Sequence, residues 1–80
     1  MSDIFTQRSV YRELFNEICA DFFHYRLNNK TDIEFEKIEK KLWKYRETAL
    51  SMQPEDVEDY KTVLRTAKVY LTKRRIFNHG

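Results

Sequence analysis

The chain has 80 residues, of which 35% are charged and 15% aromatic, and its net charge is +2. Its only glycine is Gly80 and its only proline is Pro54, so tightly linked strands, whose turns rely on glycine, are not expected. The lone Cys19 cannot form an internal disulfide, which is typical of a reducing compartment, and no apolar run is long enough to cross a membrane. We therefore expect one cytoplasmic, all-α domain spanning residues 1–80.

The first predicted helix covers residues 3–27. Its apolar residues recur mostly at steps of three and four, which places them on one helical face. They are Ile4, Tyr11, Leu14, Phe15, Ile18, Phe22 and Tyr25. The polar pair Asn28 and Asn29 follows, and asparagine tolerates the left-handed conformation that often ends a helix. We expect the helix to end at this pair.

A second helix is predicted to begin at Thr31. Thr31 and Glu34 have the spacing of a capping box, in which the two side chains bond to each other's backbone N–H groups. The apolar residues that follow form a seam with steps of three and four. They are Phe35, Ile38, Leu42, Tyr45, Ala49 and Met52. The seam predicts a helix that extends to the break at residues 51–54.

The third predicted helix has Pro54 at its first position, where proline is favoured. Acidic residues fill its first turns, and a second apolar seam follows. This seam consists of Val57, Tyr60, Leu64, Ala67 and Leu71, and it is widened by Val63, Tyr70 and Phe77. Three helices of roughly 20–25 residues with links of about three to five residues predict an antiparallel, up-down-up three-helix bundle.

Catalytic and cofactor signatures are missing from the sequence. Cys19 and His24 lie five residues apart, on different faces of a helix, and no Cys or His pair has the spacing of zinc ligands. Helix-dipole pairing accounts for the four acids at the start of the third helix without a metal ion. They are Glu55, Asp56, Glu58 and Asp59. We expect no enzyme activity, no cofactor and no metal site.

An aromatic surface is the first candidate site. Trp43 and Leu50 lie one heptad apart, roughly 110–130° from the seam of the second helix, with Arg46 beside them. Phe5 and Phe23 likewise lie off the main face of the first helix. Either these residues widen the core of the bundle, or they form a surface for a partner, since exposed aromatics are enriched at interfaces.

A basic stripe on the third helix is the second candidate site. The last twenty residues contain no acid, and four of the six basic residues after Asp59 share one side of the helix. These four are Lys61, Arg65, Lys68 and Arg75. Either they balance the helix dipole, or they contact the phosphates of a nucleic acid.

The sequence favours a small non-enzymatic protein-interaction module, such as an adaptor, inhibitor or accessory regulator. It would bind a protein partner through Trp43, Arg46, Leu50, Phe5 and Phe23. The alternative is a nucleic-acid-binding accessory protein that uses the basic stripe. A third hypothesis is that the chain mainly associates with itself, as a homodimer or larger assembly.

Overall fold

The computed structural model describes the backbone of residues 3–79 and the side chains of residues 3–74. Over this range the chain forms three α-helices and no strand, which confirms the all-α fold. Helix α1 spans Ile4–Asn28, α2 spans Ile33–Thr48 and α3 spans Val57–His79. Two short 3-10 turns, Ala49–Ser51 and Pro54–Asp56, lie between α2 and α3.

Contacts at the helix ends establish the antiparallel arrangement. Arg8, near the start of α1, donates through Nε to the carbonyl oxygen of Met52 at 2.7 Å, just after α2 ends. At the other end of the bundle, Arg26 Nη2 lies 2.8 Å from Oε2 of Glu36 in the first turn of α2. Near the end of α3, Arg74 reaches back to the residue that caps α2. The three helices therefore run up, down and up.

The N-terminal caps are aspartates, and one of them corrects a prediction. Asp3 Oδ1 accepts the N–H of Thr6 at 2.7 Å, and Asp32 Oδ1 accepts the N–H of Phe35 at 2.8 Å. The predicted capping box of Thr31 with Glu34 is wrong, because Asp32 places a charged acceptor one residue nearer the first turn of α2. Thr31 Oγ1 instead donates to Oε1 of Glu36 at 3.0 Å.

The predicted asparagine pair does end α1, but by a different route from the one expected. Asn29 has an extended backbone, with φ −143° and ψ 155°. The side-chain amide of Asn28 donates to the carbonyl of His24 at 3.0 Å, and that of Asn29 donates to the carbonyl of Tyr25 at 3.1 Å. Carbonyls of the last turn are thus satisfied by side chains, without a left-handed residue.

Helix α2 is shorter than predicted. It has 16 residues, and the chain then tightens into the 3-10 turn, where Met52 N–H donates to the carbonyl of Ala49 at 3.2 Å. Pro54 occupies the first position of the following 3-10 turn and not of α3, which begins three residues later at Val57. Gln53 N–H donates to Asp56 Oδ2 at 3.3 Å. The break between α2 and α3 therefore begins at residue 49, two residues earlier than the apolar seam indicated.

Both predicted seams lie in the core, along the axis of the bundle. Phe15, Phe22, Phe35, Leu42 and Met52 are the largest fully buried side chains. Rings from all three helices pack together there: the centroids of Phe22 and Phe35 are 4.8 Å apart, and those of Tyr45 and Tyr60 are 4.7 Å apart. Phe77 lies outside the described side chains.

None of the helices in the described part of the chain is long and apolar enough to cross a bilayer.

Candidate functional site

Helices α1 and α2 bring three of the five predicted partner-binding residues together. Trp43 and Phe23 remain 43% and 50% exposed, and both line an open groove of about 430 Å³ with Arg46. The other residues of this groove are Asn16, Cys19 and Ala20. Trp43, Arg46 and Phe23, which we call the aromatic surface, thus form one continuous patch contributed by two helices.

Arg46 is held in place by two contacts. Its guanidinium carbon lies 5.4 Å from the centroid of the Trp43 ring, and its Nε donates to Oδ1 of Asn16 on α1. A cation over the face of an indole is attracted by the negative charge density of the ring. Trp43 and Arg46 both belong to α2, and the bond from Arg46 to Asn16 links this pair to α1.

Trp43 lies between two depressions. The groove with Phe23 is on one side, and a second depression of about 340 Å³ lies along α2 itself. The second depression is lined by Ile33, Glu36, Lys37, Glu39, Lys40 and Trp43. Trp43 therefore forms a ridge that a partner could contact from both sides.

Leu50 and Phe5 do not line the groove with Trp43. Leu50 is 55% exposed in the 3-10 turn after α2, and Phe5 is 71% exposed at the start of α1. The antiparallel arrangement places these two positions at the same end of the bundle. The Arg8 guanidinium carbon lies 5.3 Å from the centroid of the Phe5 ring. Phe5 and Phe23 are 18 residues apart, which is five full turns and hence the same face of α1.

Ile33 belongs to the same region, and our sequence analysis missed it. Its side chain is exposed in the first turn of α2, and it lines the depression next to Trp43. The signal was present in the sequence, because Ile33, Glu36, Lys40 and Trp43 follow steps of three, four and three along one helical face.

Cys19 lines the groove with Trp43 and Phe23, and the reactivity of its thiol is low. The side chain is buried, and burial raises the pKa of its thiol to about 11, with the negative charge of Glu39 adding to the rise and Arg46 opposing it. A thiol that stays protonated at neutral pH is a poor nucleophile. Among the described residues, no three His, Cys, Asp or Glu side chains are placed to hold a metal ion.

Three of the four acids around the start of α3 make described contacts. Asp59 accepts a hydrogen bond from the Tyr45 hydroxyl, and this bond raises the pKa of Tyr45 to about 12. Glu58 Oε1 lies 3.5 Å from Lys61 Nζ, and Asp56 accepts the Gln53 N–H. The contacts of Glu58 and Asp56 are local to this helix start, whereas the bond from Tyr45 links Asp59 to α2.

The structure separates the members of the basic stripe. Lys61 pairs with Glu58, whereas Lys68 is exposed without a described ion pair. Arg65 lines a groove between α2 and α3 together with Lys73. The side chain of Arg75 lies outside the described residues. The stripe therefore does not act as one row of equivalent, unpaired cations.

Three lysines of α2 line a groove against α3, and our sequence analysis missed this juxtaposition. Lys37, Lys40 and Lys41 line a groove whose opposite wall is formed by Thr62 and Thr66 of α3. The sequence shows these lysines only as cations in the middle of a helix. Their placement beside α3 depends on how the two helices are rotated against each other.

Comparison with known proteins adds no assignment. No protein-family model, no curated protein and no solved structure matches the chain.

Proposed function

We propose that this chain is a small non-enzymatic interaction module of the cytoplasm that binds a partner protein through the aromatic surface. It would act as an adaptor, inhibitor or accessory regulator. One observation carries the proposal: Trp43 and Phe23 come from different helices and line one groove, yet about half of each side chain remains in water. Leu50 and Phe5 do not line this groove, but they are further exposed apolar side chains at one end of the bundle.

The aromatic surface has the composition of a binding hot spot. Tryptophan and arginine are the residues whose truncation most often weakens protein complexes, and they act best when surrounding contacts exclude water. Here the indole and the guanidinium are already stacked, and Asn16 holds the arginine. Side chains that are ordered before binding lose less conformational entropy when the complex forms.

Affinity purification with single-site variants tests the proposal. The tagged chain, its Trp43→Ala variant and its Val10→Ala variant are each used to capture proteins from the native host, and the captured proteins are identified by mass spectrometry. Val10 is the matched control because it is similarly exposed, at 50%, but does not line the groove with Trp43. We expect a partner that is captured by the parent chain and by Val10→Ala, and is lost with Trp43→Ala.

Identical sets of captured proteins for all three chains would contradict the proposal. Nuclease treatment of the lysate distinguishes direct protein contacts from association through nucleic acid. Sedimentation velocity over a range of concentrations identifies the remaining case, in which the partner is a second copy. In that case Trp43→Ala shifts the protein from dimer to monomer, whereas Val10→Ala leaves the dimer intact.

Nucleic-acid binding through Lys61, Arg65, Lys68 and Arg75 is the second candidate function. It is supported by the absence of any acid after Asp59 in the sequence and by the exposure of Arg65 and Lys68 without a described carboxylate partner. Binding to phosphates would weaken steeply with salt.

Titration of duplex and single-stranded DNA at low and high salt, with the parent chain and a Lys68→Glu, Arg75→Glu variant, tests this candidate. Weak affinity even at low salt, or unchanged affinity in the variant, would exclude it.

A further inference from the structure

The seam between α2 and α3 carries a continuous groove on a different side of the molecule from the aromatic surface. Two depressions of about 430 and 460 Å³ lie along this seam, and both are lined by Thr66. The first reaches Asp59 and the second reaches Lys73. Fourteen residues of α3 separate these ends, so the groove is about 21 Å long, or about four helical turns.

The floor of the groove is apolar. Ile38 of α2 and Val63 of α3 lie at its centre, and Val69 and Tyr70 continue the floor toward the end of α3. Val69 is the most exposed of these side chains, at 46%. A ligand with apolar side chains would therefore gain from covering this floor.

Unpaired cations line both edges. Lys37 and Lys41 are one turn apart on α2, and Arg65 and Lys73 are about two turns apart on α3. None of these four forms a salt bridge with a described carboxylate, unlike Arg74, whose Nη2 lies 2.6 Å from Asp32 Oδ2. The groove thus has an apolar floor between two positively charged edges.

We propose that this groove binds an acidic amphipathic helix of a partner protein, which packs against α2 and α3 as a fourth helix. A helix laid between two antiparallel helices presents apolar residues at steps of three and four to the floor. Its flanking glutamates and aspartates then meet Lys37 and Lys41 on one side, and Arg65 and Lys73 on the other. About four turns of helix match the length of the groove.

Features of the groove favour a peptide over a nucleic acid. Glu34 and Asp59 lie at its two ends, where they would repel a continuous chain of phosphates, whereas a helix can carry its acids only opposite the four cations. The tyrosine rings along the groove pack into the core: Tyr45 against Phe15 and Tyr60, and Tyr70 against Phe22 and Phe35. Single-stranded nucleic acids rely on base stacking against aromatic rings for much of their affinity.

The proposal is tested with a synthetic peptide of about 16 residues, long enough to span the groove. Leucines follow steps of three and four along one face of this peptide, and glutamates flank them. A second peptide has lysine in place of every glutamate. Each is titrated into the full-length chain, with affinity measured by fluorescence anisotropy and the binding site mapped by amide chemical shifts.

Two double variants with the same total charge make the comparison specific. Lys41→Glu with Arg65→Glu reverses one charge on each edge of the groove. Lys30→Glu with Lys68→Glu makes the same change in net charge at exposed positions that do not line it. We expect the acidic peptide to bind, to shift amides of α2 and α3 around Thr66, and to lose about tenfold or more of its affinity only in the first variant.

Several results would overturn the proposal. Absence of binding at low salt, equal affinity of the lysine peptide, or equal losses in the two double variants would each do so. Tighter binding of a DNA or RNA oligonucleotide in competition for the same groove would assign the site to nucleic acid instead. The proposal is independent of the aromatic surface, so Trp43→Ala should leave the affinity for the acidic peptide unchanged.

Discussion

The hydroxyl of Tyr70 donates to Oδ1 of Asp32 at 2.8 Å, and the same oxygen accepts the N–H of Phe35 at 2.8 Å. One carboxylate therefore caps α2 and links it to α3. The backbone N–H of Phe35, and after it the Tyr70 hydroxyl, hold the pKa of Asp32 below its ordinary value of 3.8. Burial, together with the bond to Asp32, raises the pKa of Tyr70 to about 12, so the tyrosine remains a donor at neutral pH.

Asp32→Asn should reduce the amount by which the free energy of unfolding falls when the pH is lowered. Because the folded pKa of Asp32 is lower than the unfolded one, the carboxylate stabilises the protein above the unfolded pKa, and this contribution is lost as pH falls through the folded pKa. Urea unfolding at pH 7 and at about pH 3 measures the difference. The parent chain should lose more stability between these pH values than Asp32→Asn does. Glu34→Gln, which removes a neighbouring carboxylate that makes none of these contacts, should behave like the parent chain.

Leu42→Ala should destabilise the protein by about 2–5 kcal/mol, the range found when a fully buried leucine is truncated. Leu42 has no exposed surface in the bundle, so the truncation leaves a cavity among three helices. The free energy of unfolding from urea denaturation measures the cost. A change near zero would show that the helix is rotated differently about its axis.

Trp43→Ala should cost less, about 1–2 kcal/mol, although the lost side chain is larger. Trp43 is 43% exposed, so only part of its apolar area is removed from water on folding. The same unfolding measurement, made beside Leu42→Ala, compares two adjacent residues of one helix. If Trp43→Ala destabilised the chain as much as Leu42→Ala, Trp43 would be a core residue and the partner-binding surface would lie elsewhere.

The difference between Leu42 and Trp43 shows what the sequence could predict. Steps of three and four along a helix determine which side chains face inward, so the burial of Phe35 and Leu42 followed from the pattern alone. The same helical periodicity placed Trp43 and Phe23 away from the apolar faces of their helices. It could not show that these two side chains line one groove, because that depends on the handedness of the bundle and on how far each helix is rotated about its axis.

The remaining differences arise from contacts between distant parts of the chain. The tightened turn after α2 is joined to α1 through the bond from Arg8 to the Met52 carbonyl, 44 residues along the sequence. Asp32 caps α2 while it also binds Tyr70, 38 residues later. A local capping pattern such as Thr31 with Glu34 includes neither kind of contact. The groove between α2 and α3 likewise needs both helices in place before its two charged edges exist.

Cys19 should react slowly with a thiol reagent at neutral pH. Its thiol is buried, and burial raises its pKa to about 11. With the thiolate as the reactive species, the rate should rise about tenfold per pH unit until the pH nears that pKa. Absorbance-monitored reaction with a disulfide reagent measures the rate, and the chain unfolded in guanidinium gives the rate of an accessible cysteine. Equal rates for the folded and unfolded chains at pH 7 would contradict the burial of this residue.

Between residues 3 and 79 no residue has a positive φ. Along this path the backbone therefore never requires glycine, and even Asn29, which ends α1, has an extended conformation that other residues readily adopt. The links constrain the fold through their length and polarity more than through particular residue types. Chains that share this fold can consequently differ at most link and surface positions. Their sequence similarity would then be concentrated in the packed interior.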